Sequence, residues 1–138
     1  MDTKAEVLSM ILCRSVREES DGRYSLSETL PVHADTPVSL VDPRVMVFAE
    51  LTELLGVYES QIIVTWLELE DELFVSDSSH IESNDPRNVV TLMWPIPVEV
   101  FSDTGEYRVQ LFVNGELERV RRLYVKHPDT THADDFAT

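Results

Sequence analysis

Four histidines, a single cysteine and 26 acidic residues are the side chains of this 138-residue chain that could do chemistry beyond packing. Hydrolysis or acyl transfer needs a nucleophile, a base and an orienting group held together. His33, His80, His127 and His132 each fall in a segment that reads as loop or tail, and none stands beside the glycine pattern of a nucleophile elbow. The four glycines, at positions 22, 56, 105 and 115, are each used by a turn or loop, which leaves none for a phosphate-cradling loop. Cys13 sits inside an apolar run and reads as a small buried hydrophobe rather than a reactive thiol. With no second cysteine, neither an internal disulfide nor a thiolate-rich metal site can form. The expectation is a protein with no catalytic residue and no cofactor.

The carboxylates gather in two places. Asp77, His80, Glu82 and Asp85 share one polar stretch, and Glu68, Glu70, Asp71 and Glu72 share another. Loop carboxylates at such spacing can hold calcium, and a metal-assisted hydrolase is the chemistry that would follow. Neither an EF-hand pattern nor a His pair one helical turn apart accompanies them. Two solvated acidic segments are the simpler reading, and no metal ligand is assigned. The same holds for His127 and His132 beside Asp134 and Asp135 near the C-terminus.

Against the 26 acids stand 11 Lys and Arg, giving a formal charge of −15 and a pI near 4.4. Such a charge repels phosphates and anionic lipid, which argues against nucleic acid or a membrane surface as a partner. The charge is also segregated. Between residues 44 and 85 one base, Arg44, meets ten acids, a local balance of −9, whereas residues 106–126 hold five bases and three acids, a balance of +2. An acidic face of this kind meets a basic partner through steering and register more than through raw affinity.

Period-2 alternation and turn chemistry define the elements that must position these groups. Val7 to Val16 reads as one apolar strand run, closed by the Asp21-Gly22 turn and answered by Tyr24 to Ser27. Residues 31–43 hold three prolines and read as a surface connection, with a short strand at Val38–Val41. Arg44 to Thr52 admits a helix, with Asp42 as cap and Pro43 in the first turn, but its Val-Met-Val-Phe content favours a strand, followed by a loop from Glu53 to Glu59. Ser60 to Leu69 reads as a long strand, 76–88 as a polar loop, and Asn88 to Phe101 as an alternating strand. Pro95 and Pro97, two apart, remove N–H groups from the same edge, so that strand lies at a sheet border. Asn114-Gly115 between alternating runs marks the closing hairpin, with a bulge expected near Arg119.

Seven or eight strands without a helix imply a β-sandwich or barrel, and the closing hairpin sharpens this to an antiparallel sandwich. Asp103-x-Gly105-x-Tyr107, running into an alternating strand, resembles the tyrosine corner of immunoglobulin-like domains, which implies that the Tyr107 hydroxyl bonds back to the preceding corner. In this likeness Val109 takes the place of the second antibody cysteine, with Cys13 or a neighbour facing it, and Trp66 and Trp94 compete for the buried core indole. The chain as a whole, through Cys13-x-Ser15-Val16, the Asp21-Gly22 hairpin, the paired strands from Arg44 to Leu69 and Gly105-x-Tyr107, also resembles a family of small bacterial proteins of unknown function. That likeness implies a fold and no activity.

The sequence thus reads as one all-β, immunoglobulin-like sandwich over residues 1–126 with a flexible tail over 127–138. No secretion signal or membrane span is apparent, so a cytoplasmic location is expected. The expected function is a non-enzymatic interaction or assembly module whose partner is another protein, a second copy of the chain included, rather than nucleic acid, membrane or a small molecule. Candidate contact residues are Glu68, Glu70, Asp71 and Glu72 on the acidic face, Arg119, Arg121 and Arg122 on the basic hairpin, and Phe48, Met93 and Phe112. The last three point opposite to their core-facing neighbours and would form an apolar patch if they cluster. Strand addition at a sheet edge is a second binding mode. The alternatives are an acidic mimic of nucleic acid that inhibits a nuclease or defence complex and, third, the metal-assisted hydrolase.

Overall fold

The computed structural model describes residues 5–27, 33–34 and 44–125. The chain runs through β1 (Glu6–Cys13), β2 (Ser15–Glu18), β3 (Tyr24–Ser27), β4 (His33–Ala34), β5 (Arg44–Thr52), β6 (Gly56–Trp66), β7 (Asp71–Val75), β8 (Ser79–Ser83) and β9 (Val90–Pro97). A single 3-10 turn (Val98–Phe101) then leads to β10 (Gly105–Val113) and β11 (Glu116–Val125). One sheet has the order β1-β5-β9, the other β4-β11-β10-β6-β7 with β8 also on β6, and β2 and β3 form a separate hairpin. Every pairing is antiparallel except the two-residue contact of β4 with β11.

The two sheets bury their facing sides against each other. Val7, Met10 and Leu12 of β1, Val45, Val47, Ala49 and Leu51 of β5, and Trp94 and Ile96 of β9 pack against Tyr58, Ile62 and Val64 of β6, Tyr107, Val109, Leu111 and Val113 of β10, and Leu123 and Val125 of β11. The all-β antiparallel sandwich without a disulfide is therefore the fold. Arg44 to Thr52 is a strand, as its β-branched content favours, and β9 has only β5 as a partner among the described residues, so the edge stripped of N–H groups by Pro95 and Pro97 faces outward.

Strand segments outnumber the expected seven or eight for three reasons. The apolar run from Val7 to Val16 breaks at Arg14 into β1 and β2, which turn to different partners. His33–Ala34 adds a short strand, and Ser79–Ser83, expected as loop, pairs along β6 from Gly56 to Ser60. The expected loop from Glu53 to Glu59 is overturned by the same pairing: β6 already begins at Gly56 and ends at Trp66, so Leu67 to Leu69 lie in a turn rather than a strand. The alternation of 88–101 continues only to Pro97, where the chain coils into the 3-10 turn. The bulge of the last strand sits at Glu118, one residue from the expected Arg119. The Val38–Val41 strand and the 127–138 tail lie outside the described residues.

A third layer covers the outer side of the smaller sheet. Cys13 pairs with Met46 and Ile11 with Phe48, which puts Cys13 and Phe48 on the face opposite the core, yet both are buried. The β2–β3 hairpin lies over them, with the Tyr24 ring 5.5 Å from that of Phe48. Cys13 consequently does not face Val109; its inward neighbour is Leu12.

Candidate functional site

Two tyrosines clamp the corners that launch the long central strands. The Tyr107 hydroxyl donates to the Asp103 carbonyl at 2.6 Å and accepts from the Asp103 N–H at 3.0 Å. Tyr58 repeats the device at the start of β6, donating to the Leu55 carbonyl at 3.0 Å and accepting from its N–H at 2.9 Å. In both, a glycine two residues earlier, Gly56 (φ +112°) or Gly105 (φ +143°), takes the positive-φ turn that brings the ring back over the corner. Burial pushes the Tyr107 phenol up to about 12, the Asp103 and Glu68 carboxylates adding to the rise and the backbone bond from Asp103 opposing it. Phe101 meets the Tyr107 ring edge-on at 5.1 Å and Trp66 stacks at 6.5 Å. Trp94 is the fully enclosed core indole, while Trp66 is half-buried at this end of the sheet.

Beside this corner the β6–β7 turn projects outward. Its near side is tied down by the Leu67 N–H, which donates to the Glu106 carbonyl at 2.9 Å, and Glu70 closes it in the left-handed region at φ +55°. Glu68, Glu70, Asp71 and Glu72 are all exposed, and so are the apolar Leu69 (65%), Leu73 (39%) and Val75 (49%). Leu73 is the extra residue of a bulge, between the pairs Glu72 with Thr65 and Phe74 with Val64. Among the described residues none of the four carboxylates has an ion-pair partner, whereas Arg17 pairs with Glu19, Arg23 with Asp21, Arg87 with Asp85 and Arg122 with Glu106. The result is a turn and edge strand, Glu68 to Val75, on which exposed carboxylates without an ion-pair partner among the described residues lie beside exposed aliphatic side chains.

The remaining candidate residues divide among different surfaces. Phe48 and Met93 are register partners on the outer face of the smaller sheet, but Phe48 is buried under the hairpin and only Met93 is exposed. Phe112 lies on the outer face of the larger sheet, on the far side of the sandwich, so the expected apolar cluster of Phe48, Met93 and Phe112 does not form. Arg122 pairs with Glu106 at 3.5 Å. Arg119 and Arg121 turn inward in line with buried Leu111 and Val109 and donate to the carbonyls of Val7 (2.8 Å) and Met10 (2.6 Å) on β1.

His80 and Glu82 lie on β8, where His80 Nδ1 is 3.1 Å from Glu59 Oε2 across the pair with β6 and its Nε2 is 4.0 Å from Glu82 Oε2. Asp85 is held by Arg87, which keeps its carboxyl below the usual range. Asp77, His80, Glu82 and Asp85 are therefore not gathered on one point, and among the described residues no three His, Cys, Asp or Glu side chains converge as metal ligands. An open cleft of about 380 Å³ lies at the start of β6, lined by Gly56, Val57, Glu82, Ser83, Asn84 and Asn88. Its one hydroxyl, Ser83, already donates to the Asp85 carbonyl at 3.0 Å. No described helix is long and apolar enough to cross a membrane. Compared with known proteins, the chain matches no family model and no curated sequence.

Proposed function

We propose that this protein is a non-enzymatic, cytoplasmic interaction module on an immunoglobulin-like sandwich, and that it docks a basic protein partner on the surface formed by Glu68 to Val75. The single observation that carries this reading is the make-up of that segment: four exposed carboxylates with no ion-pair partner among the described residues, next in the chain to the exposed side chains of Leu69, Leu73 and Val75. Like charges placed side by side raise the energy of the free protein, and exposed aliphatic groups do the same. A partner that brings Lys or Arg against the carboxylates and covers the aliphatic anchors relieves both. The anchors supply the affinity and the charges supply encounter rate and orientation. The immunoglobulin-like part of the reading is supported by the Tyr107 bonds to Asp103.

Capture from the source cell with wild-type protein, an E70K/D71K/E72K variant and a Leu73→Asp variant tests this. A specific partner is retained by the wild type, persists in moderate salt and is lost from both variants. Retention that collapses with salt, competes with duplex DNA and ignores Leu73→Asp favours the nucleic-acid mimic instead.

A further inference from the structure

We infer that Arg119 and Arg121 form a latch that keeps the β1 edge from pairing with β1 of a second copy of this chain. Two other exposed borders of the sheets, β9 and β7, carry their own deterrent to strand addition. The outward edge of β9 lacks N–H groups at Pro95 and Pro97, and β7 is short, bulged and acidic through Asp71 and Glu72. The β1 strand has none of its own: from Val7 to Cys13 it reads Val-Leu-Ser-Met-Ile-Leu-Cys, uncharged and rich in strand formers, and among the described residues its only sheet partner is β5.

The missing charge is delivered from the other sheet. Arg119 and Arg121 stand on the inward side of β11, where the pairing partners Leu111 and Val109 are buried, and reach across to the outward carbonyls of Val7 and Met10. Residues three apart in a regular strand present their carbonyls to opposite edges. The bulge at Leu8 shifts the parity by one, so that Val7 and Met10 share an edge and match two arginines spaced two apart on β11. Bulge and arginines are thus two halves of one fitting. With it removed, the uncharged Val7–Cys13 stretches of two copies can pair antiparallel about a two-fold axis, each supplying the backbone groups the other lacks. The acidic β7 edge cannot do this with itself, because like charges would face each other.

The test is the molar mass of the R119A/R121A variant across a dilution series by sedimentation, with circular dichroism as the check on folding. The expected result is a concentration-dependent shift from the wild-type mass toward twice that value, and its reversal by Leu8→Lys, which places like charges on both paired edges at an already exposed position. A folded double variant that keeps the wild-type mass overturns the inference, as does a mass increase that Leu8→Lys leaves untouched. Should the double variant not fold, Arg119→Ala and Arg121→Ala separately, each retaining one of the two bonds, carry the same comparison. Wild-type mass in both would equally overturn the latch.

Discussion

The Tyr107 and Tyr58 corners show how much depends on single groups. Tyr107→Phe removes a donor and an acceptor from Asp103 and is expected to cost about 1 kcal/mol, since the freed backbone groups sit at a corner that water can reach. A larger loss is expected from Gly105→Ala. An added Cβ would lie 2.6 Å from Glu68 Oε2 and 2.7 Å from Trp66 Nε1, at φ +143°. Crowding and strain together set this at roughly 1–3 kcal/mol, readable in a urea titration. Alkaline pH adds a third expectation. A phenol raised in the folded state to about 12 is protonated there while the unfolded chain, with an ordinary value near 10, has lost its proton. The folded form then binds the extra proton, so its contribution is complete below pH 10 and disappears as pH climbs toward 12. Phenolate absorbance should show a late step in register with unfolding, and Tyr107→Phe should remove that step.

At the scale of elements, the β2–β3 hairpin acts as a lid on the outer side of the smaller sheet. Phe48→Ala empties a buried site beneath it and is expected to cost about 3–5 kcal/mol, whereas Phe112→Ala, on the half-buried opposite face, costs less. Cys13 lies under the same lid, and burial raises its thiol, opposed by a backbone bond from Ser15, so alkylation should proceed only as fast as the region opens. What could be read beforehand follows from how each element is buried. Strands with one wet and one dry side announce themselves by alternation, and the Asn114-Gly115 turn and the prolines of β9 have direct backbone consequences. The β8 strand escaped because Ser-His-Ile-Glu-Ser offers a single large apolar residue, its outward side being solvated. The start of β6 looked like loop for a related reason, although Gly56-x-Tyr58 carries the same signature as Gly105-x-Tyr107. The covering of Phe48 and the reach of Arg119 to Val7, 112 residues away in sequence, depend on packing between distant segments and leave no local trace.

At the scale of the molecule, the net charge of −15 reflects, among the described residues, arginines that are mostly engaged and carboxylates that mostly have no ion-pair partner. Most described arginines neutralise a neighbouring acid or cap a strand edge, and four exposed carboxylates without an ion-pair partner among the described residues lie at the β6–β7 turn and on β7, beside exposed Leu69, Leu73 and Val75. Two open borders of the sandwich are thus treated differently: one is latched shut by cations, the other displays anions. The most direct test of the docking claim is calorimetric titration of the captured partner into wild-type protein and the E70K/D71K/E72K variant, at low salt and at roughly 0.5 M salt, where screening is nearly complete beyond a few ångströms. The account predicts wild-type binding at both salt concentrations and at least about a tenfold loss, close to 1.4 kcal/mol, in the variant. Equal affinity of variant and wild type would contradict it.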